Sequence, residues 1–134
     1  MTQESDDVVS RIPSSSRYAP VIGFSAAVRA GNWVIVAGTT AIDSAGTLVG
    51  NGPYEQAREA LRKIGEALTA AGASFADVVS TRTYLTRADD WEEVGRAHGE
   101  IFGDIRPAST MVVVALLDPR MLVEIEAVAF FGAP

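Results

Sequence analysis

The sequence predicts a single domain of the α/β class, in its α+β form, with a mixed sheet covered on one face by two helices. A length of 134 residues lies in the commonest range for one domain. Apolar residues alternate with a period of two in several short segments and recur at helical spacing in two longer ones. Turn-forming residues separate these segments, and the predicted order of elements is ββ(β)αβαββ.

The first part of the chain is polar and acidic. Residues 1–17 contain a run of three serines beside Pro13 and few apolar side chains to bury, so we expect a flexible N-terminal tail. The stretch does not have the pattern of a signal peptide. Because no later segment reads as a linker, residues 18–134 are predicted to form the one domain.

Two strands and a hairpin turn follow. Residues 24–30 and 33–38 are apolar, and Gly31-Asn32 between them favours a tight turn. A second turn is expected at residues 43–46, followed by a short strand around residues 47–49.

Two segments predict helices. Residues 53–71 place apolar side chains at helical spacing, with Pro53 suited to the first position and Gly72 to the end. Their charged side chains, Lys63 among them, are expected on a solvated face. Residues 90–102 form the second helix, which Asp89 or Asp90 can cap through a capping box with Glu92 or Glu93. Its expected apolar stripe consists of Trp91, Val94, His98, Ile101 and Phe102.

Three further strands are expected at residues 78–85, 109–117 and 122–130. Residues 111–117 are apolar on both faces, which is typical of a strand buried on both sides. Two helices can cover only one face of such a sheet. We therefore expect other copies of the chain to cover the second face.

The composition excludes several classes of function. A net charge of −6 without a basic run argues against nucleic-acid and anionic-membrane partners. The absence of cysteine and of a long apolar segment suits a cytoplasmic protein. One histidine without cysteine does not make a zinc site, and no glycine-rich phosphate loop or serine-nucleophile motif is present, so no metal or cofactor is expected.

The last strand carries the best candidate for chemistry, Glu124. Glu124 and Glu126 share one face of this strand, opposite Val123 and Ile125. Both carboxylates could lie on a solvated rim. Alternatively, Glu124 could lie in a cleft, where burial raises its pKa and suits it to proton transfer. His98 is likewise either a packed helix residue or a cleft residue.

The chain resembles the RidA/YjgF superfamily, also called the L-PSP endoribonuclease-like family, from about residue 24 to residue 130. The resemblance depends on several short motifs in a fixed order. They are Phe24-Ser25-Ala26-Ala27-Val28, Gly31-Asn32, Val36-Ala37-Gly38, Gln56-Ala57-Arg58, Asp77-Val78-Val79, Tyr84-Leu85-Thr86, Pro107-Ala108-Ser109-Thr110 and Val123-Glu124-Ile125-Glu126-Ala127.

The resemblance implies a chorismate-mutase-like fold, a homotrimer and small-molecule pockets in clefts between subunits. Members of the family hydrolyse reactive enamines and imines, with an Arg that binds the substrate carboxylate and a Glu on the last strand that orients water. Glu124 matches that Glu. The other positions implied to bind ligand are Phe24, Ala37, Gly38, Gly95, Ser109 and Met111.

Four of these positions depart from the family pattern. Ser109 stands in place of the Arg, Phe24 in place of a Tyr, Ala37 in place of a Ser, and Gly95 in place of an Asn. Arg106 is three residues from Ser109 and is expected on the opposite face. Without the Arg, a carboxylate ligand loses about 1.5–3 kcal/mol of binding, so we expect a neutral or partly apolar ligand.

Three functions are compatible with this site. The first is a hydrolase that deaminates a small enamine, imine or carbonyl-derived metabolite through a water positioned by Glu124. The second is a trimeric binding or sensing protein without turnover. The third, a ribonuclease or translation inhibitor, is disfavoured by the acidic charge and the single histidine.

Overall fold

The expected α+β architecture is confirmed. A computed structural model of the chain describes residues 9–131. It contains a six-stranded mixed sheet of order β1-β2-β3-β6-β4-β5, in which β4 and β5 are parallel and the other neighbours are antiparallel. The elements are β1 (Val9–Ile12), α1 (Ala19–Ile22), β2 (Ala27–Ala30), β3 (Trp33–Thr39), α2 (Pro53–Ala70), β4 (Val78–Leu85), α3 (Trp91–Phe102), β5 (Ala108–Val113) and β6 (Val123–Phe130).

The N-terminal segment differs from the flexible tail expected for residues 1–17. Val9–Ile12 forms the edge strand β1 and pairs antiparallel with β2, from Val9 opposite Ala30 to Ile12 opposite Ala27. Backbone pairing stabilises this strand although its side chains are mostly exposed, so side-chain composition alone did not reveal it. Residues 1–8 of the expected tail lie outside the described residues.

The hairpin turn at Gly31-Asn32 is confirmed. Ala30 lies opposite Trp33 across β2 and β3, and Gly31 has φ 60°. A positive φ at the first central residue is what a two-residue type II′ turn requires, and glycine adopts it without steric cost. The strands themselves are shifted: β2 begins at Ala27 rather than residue 24, and β3 extends to Thr39.

Helix α2 follows the sequence prediction closely. It begins at Pro53, ends one residue before the C-cap Ala71, and is followed by Gly72 with φ 89°. Its apolar stripe is fully buried against the sheet. The fully buried members are Ala57, Ala60, Leu61, Ile64 and Leu68.

Helix α3 departs from the prediction at its beginning. A single 3₁₀ turn, Ala88–Asp90, precedes it, and neither Asp90 nor another side chain caps it. The predicted capping box is therefore wrong; a capping box is instead formed between Ser74 and Asp77. Trp91 was expected on the apolar stripe but is 59% exposed, because it lies at the first residue of the helix, away from the core.

Strand β5 was expected to be buried on both sides, and within one chain it is not. It is an edge strand whose six residues are all exposed, and it ends at Val113 instead of residue 117. Its one sheet neighbour is β4, to which it runs parallel. That other copies of the chain cover this strand stays a prediction.

The two faces of the sheet differ in character. Val34, Val36 and the odd-numbered residues of β6 are buried under α2 and α3. The opposite side, here called the open face, carries side chains from β3, β4 and β6 that no helix within the described part of the chain covers. They are Trp33, Ile35, Arg82, Tyr84, Glu124, Glu126, Val128 and Phe130. Within residues 9–131, no helix is both long enough and apolar enough to cross a membrane.

Candidate functional site

Glu124 lines a cleft on the open face. The alternation of β6 points Val123 and Ile125 into the core and turns Glu124 to the open face, where it is half-buried. A β-bulge lies on the neighbouring strand, where Ala37 and Gly38 together oppose Glu126 between the pairs Val36–Ala127 and Thr39–Ile125. The bulge brings the backbone of β3 towards the carboxylate of Glu124.

Gly38 makes room for this carboxylate. A Cβ atom placed on Gly38 would lie 3.0 Å from Cδ of Glu124 and would overlap its Oε2. No other residue type fits at position 38 with Glu124 in this conformation, since real Cβ contacts are essentially never that short.

The protonation of Glu124 is shifted by its surroundings. Burial raises the pKa of Glu124 above the ordinary value for a glutamate, and the like charge of Glu126 raises it further. Among residues 9–131, no Lys or Arg forms an ion pair with Glu124. The carboxylate is therefore free to bind a water or a ligand, and its pKa lies nearer to neutrality, as general acid–base catalysis requires.

Glu126 has different surroundings, although it shares the face. It accepts a very short hydrogen bond from the Tyr84 hydroxyl, and Nη1 of Arg82 lies 4.0 Å from its Oε1. This hydrogen bond raises the pKa of Tyr84. Of the two carboxylates, Glu126 is thus held by protein groups and Glu124 is the one available for chemistry.

The cleft in front of Glu124 has a volume of about 570 Å³. This is within the usual range for a small-molecule pocket. Three of the positions implied to bind ligand, Phe24, Ala37 and Gly38, line it together with Glu124. The remaining wall comes mainly from residues 12–18, the loop at residues 39–46, one side of α2, and Leu117, Asp118 and Met121.

A hydrogen-bonded set of polar residues holds the loops around the cleft. The Asp118 carboxylate accepts hydrogen bonds from the backbone N–H, Nε and Nη2 of Arg120, and Nη2 of Arg17 lies 3.5 Å away. Nη1 of Arg120 donates to the carbonyl of Gly46 in the second predicted turn. Hydrogen bonding to Arg120 lowers the pKa of Asp118 to about 2.

Lys63 was expected on a solvated face, and the structure corrects this. Its ammonium group donates to the carbonyls of Thr40 (2.7 Å) and Ile42 (2.8 Å) and attaches the loop at residues 39–46 to α2. Burial lowers the pKa of Lys63. Because a long lysine can reach either water or a neighbouring loop, its position on the helix gave no signal of this contact.

Gln56 is a second residue whose role the sequence did not reveal. Its side chain is buried, donates to the carbonyl of Arg120 (3.2 Å) and accepts from the backbone N–H of Leu122 (2.9 Å). These bonds fix the start of β6, two residues before Glu124. A polar side chain next to Ala57 on the apolar face of α2 was the available sequence signal.

The other three positions implied to bind ligand do not lie near Glu124 within one chain. Ser109 and Met111 are on β5, which is separated from β6 by β4, so their backbones are about 10 Å from that of β6. Both are register partners of core-facing residues of β4, Thr81 and Thr83, and not of the open-face residue Tyr84. Gly95 is on α3, where a Cβ placed on it would lie 4.0 Å from the Trp91 ring.

Ser109 instead belongs to a polar group with His98. The Thr81 hydroxyl is 2.9 Å from Oγ of Ser109 and 2.8 Å from Nε2 of His98. The His98 ring also packs on Phe102, with 4.6 Å between ring centroids, and burial lowers the pKa of His98. Nε of Arg106 donates to the Gly103 carbonyl.

No cluster of three or more potential metal ligands occurs in residues 9–131. The raised pKa of Glu124 suits this cleft to acid–base chemistry on a small ligand. The walls are predominantly apolar, so they suit a ligand with few charged groups.

Comparisons with known proteins identify relatives of the whole chain. The model of the family described as Endoribonuclease L-PSP matches residues 14–131. An uncharacterized protein of Streptomyces coelicolor is 42% identical over 129 residues, which is 95% of this chain and 96% of that protein. A human 2-iminobutanoate/2-iminopropanoate deaminase is 35% identical over 127 residues, 93% of each chain.

A crystal structure of a Mycobacterium tuberculosis member of the YjgF/YER057c/UK114 family is also similar. It superposes with a TM-score of 0.85 and 46% identity, and the match covers 92% of this chain and all of that one.

Proposed function

The chain belongs to the Endoribonuclease L-PSP family, the RidA/YjgF proteins, and on that basis we propose that it hydrolyses a small imine or enamine to a carbonyl compound and ammonia. The observation that carries the proposal is the Glu124 carboxylate: half-buried, without a cationic partner among the described residues, and facing a cleft of about 570 Å³ beside Gly38. The relatives named as 2-iminobutanoate/2-iminopropanoate deaminases support the reaction class.

Glu124 acts on water in this reaction. The imine nitrogen first takes a proton from solvent. The Glu124 carboxylate then takes a proton from water as the water oxygen bonds to the imine carbon, and the π electrons of the C=N bond move to nitrogen. The product is a carbinolamine. Protonated Glu124 then gives its proton to that nitrogen, and the hydroxyl releases its proton. The C=O bond forms, the C–N bond breaks and ammonia leaves. A pKa raised towards neutrality serves both steps, because the group must accept and release a proton at the same pH.

We propose a ligand that lacks a carboxylate. The resemblance implies that Ser109 takes the place of the family's carboxylate-binding Arg. Arg106, three residues earlier, is exposed and hydrogen-bonded to Gly103. Phe24 and Ala37 add apolar surface to the cleft. A neutral or partly apolar imine fits this lining better than an amino-acid-derived imine.

The assembly we propose is a homotrimer with composite clefts. The exposed apolar residues of β5 and of the open face, Met111, Val112, Val113, Trp33 and Ile35, suit contact with other copies. Phe24, Ala37, Gly38 and Glu124 lie in one cleft, whereas Gly95, Ser109 and Met111 lie at the other edge of the sheet. The two groups can meet only if they come from different copies. A monomeric mass in light scattering at micromolar concentration would contradict this assembly.

The test of the reaction compares two probes. Benzophenone imine is a neutral ketimine, and 2-iminopropanoate, generated in situ, carries a carboxylate. We expect ammonia release from benzophenone imine, and a loss of roughly 100-fold in Glu124→Gln. Exposed Glu92→Gln on α3 is the matched control and should keep the wild-type rate.

Four outcomes decide between the alternatives. Faster turnover of benzophenone imine than of 2-iminopropanoate supports both the proposed reaction and the proposed ligand class. Turnover of 2-iminopropanoate alone refutes the ligand class and keeps the reaction. Binding of either probe without turnover supports the non-catalytic binding protein. Cleavage of RNA alone, unchanged in Glu124→Gln, refutes both the hydrolase and the non-catalytic binding protein.

A further inference from the structure

A row of three hydrogen-bonding side chains runs from the surface of β5 into the protein. Ser109 is exposed at the edge of the sheet, Thr81 on β4 is 2% exposed, and His98 is half-buried on α3. Oγ1 of Thr81 lies 2.9 Å from Oγ of Ser109 and 2.8 Å from Nε2 of His98. Both distances are those of good hydrogen bonds.

The hydrogens of this row can be arranged in two ways. The Thr81 hydroxyl has one hydrogen, so it can donate to Ser109 or to His98 but not to both. If Nε2 of His98 carries a hydrogen, Thr81 donates to Ser109, and the Ser109 hydrogen points outward. If Nε2 is the bare nitrogen, Thr81 donates to His98, Ser109 donates to Thr81, and a Ser109 lone pair points outward. The tautomer of His98 therefore decides what Ser109 offers to a ligand.

His98 is suited to accept a proton at the inner end. Burial lowers its pKa, so the imidazole is mostly neutral at pH 7 and has one bare nitrogen. The Phe102 ring packs on one side of it. Among the described residues, no Asp or Glu forms an ion pair with His98.

We propose that, in the composite cleft of the proposed homotrimer, the Ser109–Thr81–His98 row of one copy carries a proton away from the intermediate formed beside Glu124 of another copy. Ser109 is then a catalytic residue, and Thr81 and His98 position and accept the proton. The inference rests on the proposed function and deepens it, because it assigns the second proton transfer of the hydrolysis. The ligand is the proposed imine without a carboxylate, which takes up a proton from solvent before water adds to it.

The protons balance as follows for a protonated imine, whose nitrogen carries two hydrogens. In the first step Glu124 takes one water proton and the C–O bond forms, which gives the neutral carbinolamine. In the second step the carbinolamine hydroxyl gives its proton to Ser109, Ser109 gives its own to Thr81, and Thr81 gives its own to Nε2 of His98. The C=O bond forms, Glu124 protonates the nitrogen, and the C–N bond breaks. Ammonia leaves, and the His98 imidazolium returns its proton to solvent.

Ser109 in place of an Arg is consistent with this role. A permanent guanidinium at that position would repel a protonated imine, whereas a hydroxyl can accept a hydrogen bond from the carbinolamine. The buried Thr81 hydroxyl connects this exposed hydroxyl to the one histidine of the chain.

The first measurement tests the row without substrate. His98 is the single histidine, so the ¹⁵N resonances of its ring are unambiguous in a long-range ¹H–¹⁵N spectrum. We expect the Nε2 resonance to move in Thr81→Val, to stay near its wild-type position in Thr81→Ser, and to move in Ser109→Ala. An Nε2 resonance that is the same in the wild type and in all three variants would show that the three side chains do not form a hydrogen-bonded row, and would overturn the inference.

The second measurement uses ammonia release from benzophenone imine. We expect Thr81→Val to lower kcat roughly tenfold or more and Thr81→Ser to restore most of it. Because the residues act as one unit, the double variant Ser109→Ala/Thr81→Val should be no slower than Ser109→Ala alone. Additive losses, or equal rates in Thr81→Val and Thr81→Ser, would overturn the inference.

Failure of the inference can be told from failure of the proposed function. Turnover that depends on Glu124 but is unchanged in Thr81→Val refutes the row and keeps the proposed function. No turnover in the wild-type protein refutes both, whatever the NMR spectra show.

Discussion

Gly38 and Glu124 lie in contact across the β3–β6 pair, at the bulge where β3 has one residue more than its partner. The absence of a side chain at position 38 lets the half-buried carboxylate lie against the backbone of β3. The position of Glu124 in the cleft therefore depends on a residue that contributes no functional group, and this dependence can be tested.

Gly38→Ala should displace the Glu124 carboxylate without unfolding the protein. The new Cβ overlaps the end of a flexible side chain, which can turn away, and Gly38 does not have a positive φ. We expect a loss of roughly tenfold or more in ammonia release, as for a misplaced general base, and little change in Tm. Gly99→Ala is the matched control: its Cβ meets nothing within 4 Å on α3, so it should keep activity and raise stability by about 0.5–1 kcal/mol. Equal activity in both variants would contradict the contact.

Glu124→Gln should stabilise the protein at neutral pH more than in acid. The folded state raises the pKa of Glu124, so the protein favours its protonated form. Its contribution to stability is complete below the ordinary glutamate pKa and is lost as pH rises through the raised value. The glutamine of the variant does not ionise, so only the wild-type protein loses this stability as the pH rises. The Tm of Glu124→Gln minus that of wild type should therefore grow from pH 4 to pH 8. A constant difference in Tm across that range would show that the site does not hold a buried, titrating carboxylate.

Asp118 should give the opposite dependence. Hydrogen bonds from Arg120 lower its pKa to about 2, so its contribution to stability is present above the ordinary aspartate pKa. That contribution is lost as pH falls from about 4 towards 2. Asp118→Asn should therefore lower the Tm at pH 7, and the difference from wild type should shrink in thermal melts at pH 2. A Tm difference that persists at pH 2 would show that hydrogen bonds of the uncharged Asp118 carboxyl group, and not its charge, stabilise the protein.

Thr83→Val should stabilise the fold. Thr83 is fully buried on β4, and within residues 9–131 its hydroxyl oxygen is the one buried side-chain polar atom without a hydrogen-bond partner. Removing an unsatisfied buried hydroxyl while keeping the shape should raise the free energy of unfolding by about 1 kcal/mol. Thr81→Val, two residues away, breaks two hydrogen bonds and should lower it by about 1–2 kcal/mol. Urea denaturation of both variants measures the contrast; loss of stability in Thr83→Val would indicate a hidden partner for its hydroxyl.

Local patterns in the sequence were sufficient for much of this fold. Helical spacing with Pro53 and Gly72 predicted α2 closely, because its buried stripe and its ends depend on residues a few positions apart. Gly31 predicted the hairpin turn for the same reason. The period of two in β6 separated Glu124 from the core-facing Val123 and Ile125.

The environment of each site residue was decided by tertiary structure. Strand β6 inserts between β3 and β4, far from it in sequence, and this order brings Gly38 against Glu124. The parallel pairing of β4 with β5 sets Ser109 beside Thr81, within reach of His98 on α3. Periodicity determines which face a side chain takes, but strand order and register depend on long-range packing. The sequence by itself could therefore single out Glu124 and Ser109 as candidates, and the three-dimensional fold alone determined what lies next to each of them.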